Sequence, residues 1–585
     1  MKDKINELTP HMPEIMRVVR AMLLIFLTFD YPMAGKCLVV VLFVEVLVWK
    51  KRYDREFAIF LNVVLLGLSF VPDGSYFLVN CLLHVCLFVY FLQLFIRLGS
   101  LALQHVDFLR ENEKISGEIN IKIRYLVLAT VIFVTGEFGL IVWPYRDTPK
   151  VTEHFKVSFK VEDFYADEVS CDRAAVIEES VQALAYRISI IENTKSEILM
   201  SAYEFDADTA GKRIISSLMQ AAKRGVKVKL ILDGYYSVTE ADGNPYFMAL
   251  ARCDNVEIKV YNEASLLTPW KGLGRMHEKY LVADDEVFIL GDRDISDSYM
   301  GKIQTDSYGD RDILVYNTGG EESAVHQLKT YFYTMWEDGE CDEWDAYLFS
   351  GVIPSIHSAE TDLDWVHRTM NQEEESWFEK LDYEKITVPT DKITLLSNPI
   401  DTSVKEPQIL YGLSQLMENA KTKIDIHAPN IIADTYMYEV LRGASNNAHV
   451  TLVTNSPRSN EDMFWSVDYV MNKGKILGTG VELLEYVGET EYQANSIVID
   501  DDISIIGSFD LNHRNTYNNT GLMVVVDSKE FNKILDDYQF MYEKSTAQAT
   551  VEKDELDVLL KGKSIGEMLK GSIIKMIDEH FRFLF

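Results

Sequence analysis

A histidine and a lysine separated by one residue stand in the stretch Met276-His277-Glu278-Lys279-Tyr280-Leu281-Val282-Ala283-Asp284. In an extended strand the side-chain period of two puts His277 and Lys279 on one face. A neutral imidazole beside a fixed ammonium suits attack on a phosphodiester. His277 would be the nucleophile, and Lys279 would hold the non-bridging oxygens whose charge grows in the transition state. An isolated His-x-Lys is a weak signal and more often marks a solvated strand. Here it is followed by Asp284, Gly291 and Asp294, and the whole frame returns 216 residues later as Gln493, Asn495, Asp500, Gly507 and Asp510. A constant offset across five positions points to an internal duplication whose second copy has lost its histidine and lysine.

The elements that must position these residues read as alternating strands and helices. Glu197–Ala202 reads as a strand, Ala210–Arg224 as an amphipathic helix, and Val226–Leu232 as a buried strand closed by Asp233-Gly234. The order recurs as a strand at Lys423–His427, a helix through Tyr436–Gly443 and a strand at Ala448–Thr454.

The first 145 residues have a different pattern, with apolar runs at Ala21–Phe29, Met33–Trp49, Phe57–Val71, Ser75–Ile96 and Tyr125–Trp143. A helix needs about 20 apolar residues to cross a bilayer, so four or five spans are expected over 1–145. Basic residues stay cytoplasmic, and they gather at Lys50, Lys51, Arg52 and Arg55 and again between Arg97 and Arg124. Five spans would leave the N-terminus inside and everything after Trp143 outside; four would reverse that last step. No cleavable signal peptide is expected.

This region is close to electroneutral, so almost the whole net charge of −33 falls on the remainder. So acidic a remainder repels a nucleic-acid backbone, which disfavours a nuclease. Six cysteines in 585 residues, with no CxxC pair, exclude a disulfide scaffold and a zinc site of that type.

The chain resembles the phospholipase D superfamily, defined by HxKxxxxD and, after six intervening residues, Gly, and is most similar to the bacterial cardiolipin synthase-like branch. His277, Lys279, Asp284 and Gly291 carry the resemblance, together with "AKRGVKVKLILDG" at 222–234, the Arg-Met-His lead at 275–277, Asp310-Arg311-Asp312 and "IGSFDLNHRNTYNNTG" at 506–521. The fold class it implies is an α/β phospholipase D-like domain of two duplicated lobes, here following a multi-span α-helical membrane domain. The expected division is a membrane domain at 1–145, a linker at 146–180, lobe 1 at 181–350, a linker at 351–395, lobe 2 at 396–545 and a C-terminal amphipathic helix at 546–585.

The resemblance implies a phosphohistidine intermediate with one histidine attacking and the other protonating the leaving oxygen, and no metal or other cofactor. Carried over residue by residue, it makes His277, Lys279, Asp284 and Asp312 catalytic, with Asp312 orienting the imidazole. Asp292, Asp294, Ser508 and Asp510 would meet the substrate. In the second motif Gln493 and Asn495 replace His and Lys, Asp500 is kept, and Gly521 stands where the family has an orienting glutamate. Asp292 departs from a small residue, and Asp294 and Asp510 from the usual Asn; added carboxylates weaken phosphate binding or acquire raised pKa values.

The expected function is a multi-pass cell-membrane phosphodiesterase or phosphatidyltransferase with its lobes outside the cytoplasm, acting on membrane phospholipid and not on nucleic acid. The alternative is an impaired descendant that binds lipid or a partner, or that borrows its second histidine from a related subunit. His513 reads as a loop histidine before a substitute acid. Phe332, Tyr333 and Trp336 read as core. The apolar positions from Ile565 to Leu584 read as an amphipathic helix that either packs on the lobes or lies in the membrane interface, the Phe-rich end favouring the interface.

Overall fold

The computed structural model describes residues 142–560, except 147, 264–267, 302–307, 345–352, 458–459, 461, 489 and 552–554, together with 574 and 582–584. The chain divides into two compact units. One is Met1–Leu140 with Asp242–Asn244 and Asp345–Ile353, nearly all of it outside the described residues. The other is Ile141–Ala241, Pro245–Trp344 and Pro354–Phe585, and it carries both sheets.

The first sheet contains β1 (Asp172–Ile177), β2 (Glu197–Ala202), β3 (Lys227–Asp233), β4 (Val256–Tyr261), β5 (Lys279–Ala283), β6 (Val287–Gly291), β7 (Asp312–Asn317), β8 (Cys341–Glu343) and β9 (Val388–Pro389). Its spatial order is β8-β4-β3-β2-β5-β6-β7-β1-β9. The second contains β10 (Lys392–Ser397), β11 (Lys423–His427), β12 (His449–Asn455), β13 (Glu482–Tyr486), β14 (Ser496–Ile499), β15 (Ile503–Gly507), β16 (Leu522–Asp527) and β17 (Thr546–Gln548). Its order, read from β17, is β17-β13-β12-β11-β14-β15-β16-β10. Strand for strand this repeats the first sheet from β8 to β1, so the duplication extends to topology.

β5 and β6 are buried along their whole length, as are β14 and β15. This explains their runs of Leu, Val, Ile and Phe: strands covered on both faces lose the polar alternation of a half-exposed sheet. One apolar core joins the lobes, with Tyr280, Val282, Phe288, Leu290 and Ile313 from the first sheet beside Val498, Ile506, Leu522 and Val524 from the second. Phe332 and Trp336 lie in it, on the helix Ala324–Trp336. The lobes also exchange backbone hydrogen bonds symmetrically. Thr520 donates to the carbonyl of Arg275 at 2.9 Å and Gly309 to that of Glu491 at 2.8 Å; both acceptors lie two residues before a motif position.

The expected multi-span helical membrane domain is corrected by the fold, which is α/β with two sheets. Among the described residues no helix is long and apolar enough to cross a membrane. Four of the five apolar runs, the basic loops and the sidedness drawn from them lie outside the described residues. At the end of the fifth, Trp143–Tyr145 is a 3-10 turn. Tyr145 is fully buried, donates to the Thr402 carbonyl at 2.7 Å and accepts from Gly274 N–H at 3.1 Å, so its hydroxyl ties it into the α/β core. The segment expected as a linker at 146–180 contributes β1, which pairs with β7. Of the C-terminal helix, Glu555–Leu560 is helical and Arg582–Leu584 forms a 3-10 turn, with Arg582 Nε bonded to Asp468 at 2.5 Å; the rest lies outside the described residues.

Asp284 and Asp500 serve this framework. Each has a left-handed backbone, φ 52° and 50°. Asp284 accepts the N–H groups of Lys195, Ser196 and Glu197 and the Ser196 hydroxyl; Asp500 does the same for Lys421, Thr422 and Lys423 and the Thr422 hydroxyl. Burial works against these carboxylates, and the donated hydrogen bonds outweigh it and lower both pKa values. A lowered folded pKa gives stability present above the unfolded value of about 3.9 and lost as pH falls through the folded one. Asp284→Ala should therefore lose about 1–3 kcal/mol at pH 7 by orphaning these donors, and the loss should shrink below about pH 4. Urea titrations at pH 7 and 3.5 check this; an equal loss at both pH values would count against it.

Candidate active site

The register of β5 against β6 sets Lys279 opposite Gly291, which brings the exit residues Asp292-Arg293-Asp294 against the start of β5. Gly291 in turn pairs with Asp312 on β7. A Cβ at position 291 would lie 2.1 Å from Asp312 Oδ1, and one at 507 would lie 2.2 Å from the Leu522 carbonyl. Both motif glycines are thus demanded by close strand approach. The backbone just ahead of His277 is held by Asp233, whose Oδ2 accepts the Met276 N–H at 3.0 Å. Glu278 points to the opposite face, toward Tyr331 and Thr520, so His277 and Lys279 share a face as the period of two requires.

His277 is 9 % exposed and Lys279 4 %. His277 Nδ1 lies 2.8 Å from the carbonyl oxygen of Ser508 in the other lobe. A carbonyl only accepts, so Nδ1 carries the proton and Nε2 presents its lone pair. Lys279 Nζ stands 3.3 Å from that Nε2. Burial, then the charges of Lys279 and Arg514, hold the His277 pKa well below its ordinary value, against the pull of the Ser508 carbonyl. The imidazole is therefore neutral at physiological pH. The Tyr203 ring stands edge-on to it at 4.6 Å between centroids and is backed by Tyr236 at 4.6 Å.

The ammonium of Lys279 is 2.6 Å from Asp292 Oδ1 and 3.7 Å from Asp294 Oδ2. Burial opposes its charge, and the two carboxylates overcome that and raise its pKa. Asp292 Oδ2 accepts from Asn495 Nδ2 at 2.9 Å, and Asn495 also donates to Asp510 Oδ1 at 2.8 Å. Burial, with Glu204 and Asp292 adding to it and Lys279 opposing, pushes Asp294 up to about 8. Burial and the Asp292 charge push Asp510 up to about 7.

The sequence-derived residues therefore separate into two groups. His277, Lys279, Asp292, Asp294, Ser508, Asn495 and Asp510 meet around one point between the lobes, Ser508 through its backbone. Asp284 and Asp500 lie at the far ends of their strands. Asp312 Oδ2 is bonded by Arg187 at 2.9 Å and Arg293 at 3.2 Å, and the contact expected of it at His277 Nδ1 is made by the Ser508 carbonyl. Gln493 donates to Glu491 at 2.8 Å and accepts from Asn430 at 3.2 Å. The ring of His513 packs on Tyr517 and Phe583; its neighbour Arg514 is the residue whose charge reaches His277. Sequence reasoning missed Arg514, Tyr203, Tyr236 and Asp233. Tyr203 and Asp233 had a signal, since they stand at the carboxyl ends of adjacent parallel strands, where α/β sheets form their sites.

The chain matches the family described as cardiolipin synthase, PLD-like domain over residues 188–336 and 413–540, one segment in each lobe. It belongs to the phospholipase D superfamily. Cardiolipin synthase C of Escherichia coli strain K12 is 24% identical over 397 residues, covering 62% of this chain and 82% of that protein. An uncharacterized protein of Helicobacter pylori strain 26695 is 24% identical over 462 residues, covering 70% and 87%. Among solved structures, phosphatidylserine synthase of Haemophilus influenzae aligns with a TM-score of 0.51 at 12% identity, covering 70% of this chain and 95% of that one, a likeness of fold alone. Against the superfamily's paired motif, this member keeps one His-Lys pair and fills the other half with amides and carboxyls.

Asp294 offers a pH test of this site. An unfolded aspartate titrates near 3.9, whereas this one titrates at about 8. The native state thus holds an extra proton between those values, and the associated stability is lost as pH rises through the folded pKa. Asp294→Asn keeps the shape and removes the charge. Its melting temperature relative to the unsubstituted protein should be higher at pH 9 than at pH 5; a difference independent of pH would contradict the assigned protonation.

Proposed function

We infer that the chain is a phospholipase D-type phosphatidyltransferase acting on phospholipid at a membrane surface, with His277 as its nucleophile. The observation that carries this reading is a buried neutral imidazole whose Nδ1 proton is fixed on the Ser508 carbonyl and whose Nε2 faces the Lys279 ammonium. Likeness to cardiolipin synthases over both lobes supports phospholipid as the substrate class.

His277 Nε2 attacks phosphorus, and the bond from phosphorus to the leaving oxygen breaks as the phosphohistidine forms. The leaving oxygen takes one proton. An acceptor alcohol or water then attacks phosphorus, loses one proton, and His277 leaves neutral. Lys279 holds the charge that develops on the non-bridging oxygens. A second histidine would supply and recover the proton; Gln493 donates a hydrogen bond and delivers none. General acid catalysis contributes about 10²–10⁴-fold, so natural lipids should turn over slowly. A lipid diester with a nitrophenyl leaving group needs little protonation and should suffer least.

The second reading, a lipid-binding descendant without turnover, draws on Gln493 being engaged by Glu491 and Asn430. Purified full-length protein on phosphatidylglycerol vesicles, with products read by mass spectrometry, separates the two. His277→Ala should abolish turnover, and Lys279→Ala should reduce it about 10²–10³-fold. Retained turnover in His277→Ala would move the active site elsewhere. The triple change Gln493→His, Asn495→Lys and Gly521→Glu should raise natural-lipid turnover; a Cβ at position 521 makes ordinary contact with Ile409 Cδ1 at 3.5 Å. An inert triple variant, together with no phosphoryl adduct on His277, would favour the binding descendant.

A further inference from the structure

Lys279 and Asn495 occupy equivalent positions in the two lobes, 216 residues apart. Both point at one carboxylate. Asp292 Oδ1 accepts from Lys279 Nζ at 2.6 Å and Oδ2 from Asn495 Nδ2 at 2.9 Å, with His277 Nδ1 3.9 Å from Oδ1. Asp292 is 8 % exposed, so the bridge is made away from bulk water. The duplication places Ser508 at the equivalent position in lobe 2, so the carboxylate is an asymmetric addition to a symmetric frame.

A phosphodiester bound for attack by His277 must offer its two non-bridging oxygens to donors from both lobes. The Asp292 carboxylate already does this: two anionic acceptor oxygens, one to each lobe, beside the nucleophile. We propose that Asp292 is an internal stand-in for the substrate phosphoryl group, which a substrate must displace from Lys279 and Asn495. A role as mere counter-ion would not require it to reach across to the neutral amide of Asn495, and Lys279 has a second carboxylate in Asp294 at 3.7 Å.

The consequence is selectivity. Two anions cannot share one ammonium in a site of low polarity without strong repulsion. A small free anion brings only the charge that Asp292 already supplies, so it gains little by exchange. A phospholipid brings contacts from its acyl chains and glycerol as well, and such remote binding energy can be spent on displacing the carboxylate. The site therefore excludes free phosphate and small soluble diesters and admits diesters presented by a lipid. This rests on the phosphodiester reading of the site given above.

Tungstate, a tetrahedral oxyanion, is the probe. Isothermal titration of the full-length protein at pH 7.5 should show wild-type binding weaker than about 1 mM. Asp292→Ser, which installs the residue of the other lobe, should bind about tenfold tighter or more. The isosteric Asp292→Asn should gain in the same direction with the packing kept, and the gain should vanish when Lys279→Ala is added. No gain in either variant, or a gain that survives Lys279→Ala, overturns the proposal. So does wild-type binding tighter than about 1 mM that disappears in Lys279→Ala, with no Asp292 variant needed. Lipid turnover measured on the same preparations keeps the two ideas apart. A Lys279-dependent tungstate gain without turnover in any variant sinks the phosphatidyltransferase and leaves the stand-in; turnover without a gain does the reverse.

Discussion

Lys279 carries its charge in the interior, 4 % exposed at the start of a strand buried on both faces. A buried ammonium is tolerated only when acceptors surround it, and the surrounding structure is arranged to provide them. The β5–β6 register places Asp292 and Asp294 against it. Gly291 lets β7 come close enough for that register to form, since a Cβ there would strike Asp312. Asp312 is itself held by Arg187 and Arg293.

The same charge sets the state of His277. His277 is kept neutral first by burial and then by Lys279 and Arg514, and its tautomer is fixed by a carbonyl from lobe 2. The His277 face of one lobe is thus completed by the backbone of the other. This dependence runs through the backbone of lobe 2 and not through a side chain at 493. What lobe 1 takes from β15, β16 and the segment between them includes the Ser508 carbonyl, the charge of Arg514, the apolar packing of Ile506 and Leu522, and a backbone bond from Thr520 to Arg275. None of these needs a histidine at 493.

Asn495 stands where the repeat in lobe 1 has Lys279, and this asymmetry sets the electrostatics. With Lys279 as the ammonium of the site, the carboxyls of Asp292, Asp294 and Asp510 exceed the charge it offers them. Burial and mutual repulsion then raise the pKa of the excess, and Asp294 and Asp510 titrate near neutrality. A site of this composition is poised to hold protons.

The sequence by itself determined the duplicated α/β lobes, the shared face of His277 and Lys279, and the family. These follow from local periodicity and a repeated spacing, which survive in one dimension; the strands at Glu197–Ala202 and Lys423–His427 fall where the alternation put them. The same one-dimensional reading failed at Tyr145, placed beside an apolar run and found in the core, because an apolar run does not say what will cover it. It placed Asp312 near the histidine by analogy, whereas the register of β6 and β7 gives that carboxylate to two arginines. Asp284 and Asp500 read as motif residues and are turn locks, since a strand carries its two ends in opposite directions. Only the tertiary structure decided that a carbonyl of Ser508 fixes the His277 tautomer, that Arg514 and not His513 acts on it, and that Asp292 bridges Lys279 and Asn495. Each of these depends on a contact between residues more than 200 positions apart, Ser508 and Arg514 with His277 and Asn495 with Asp292, and their distance in space is set by how the two sheets pack.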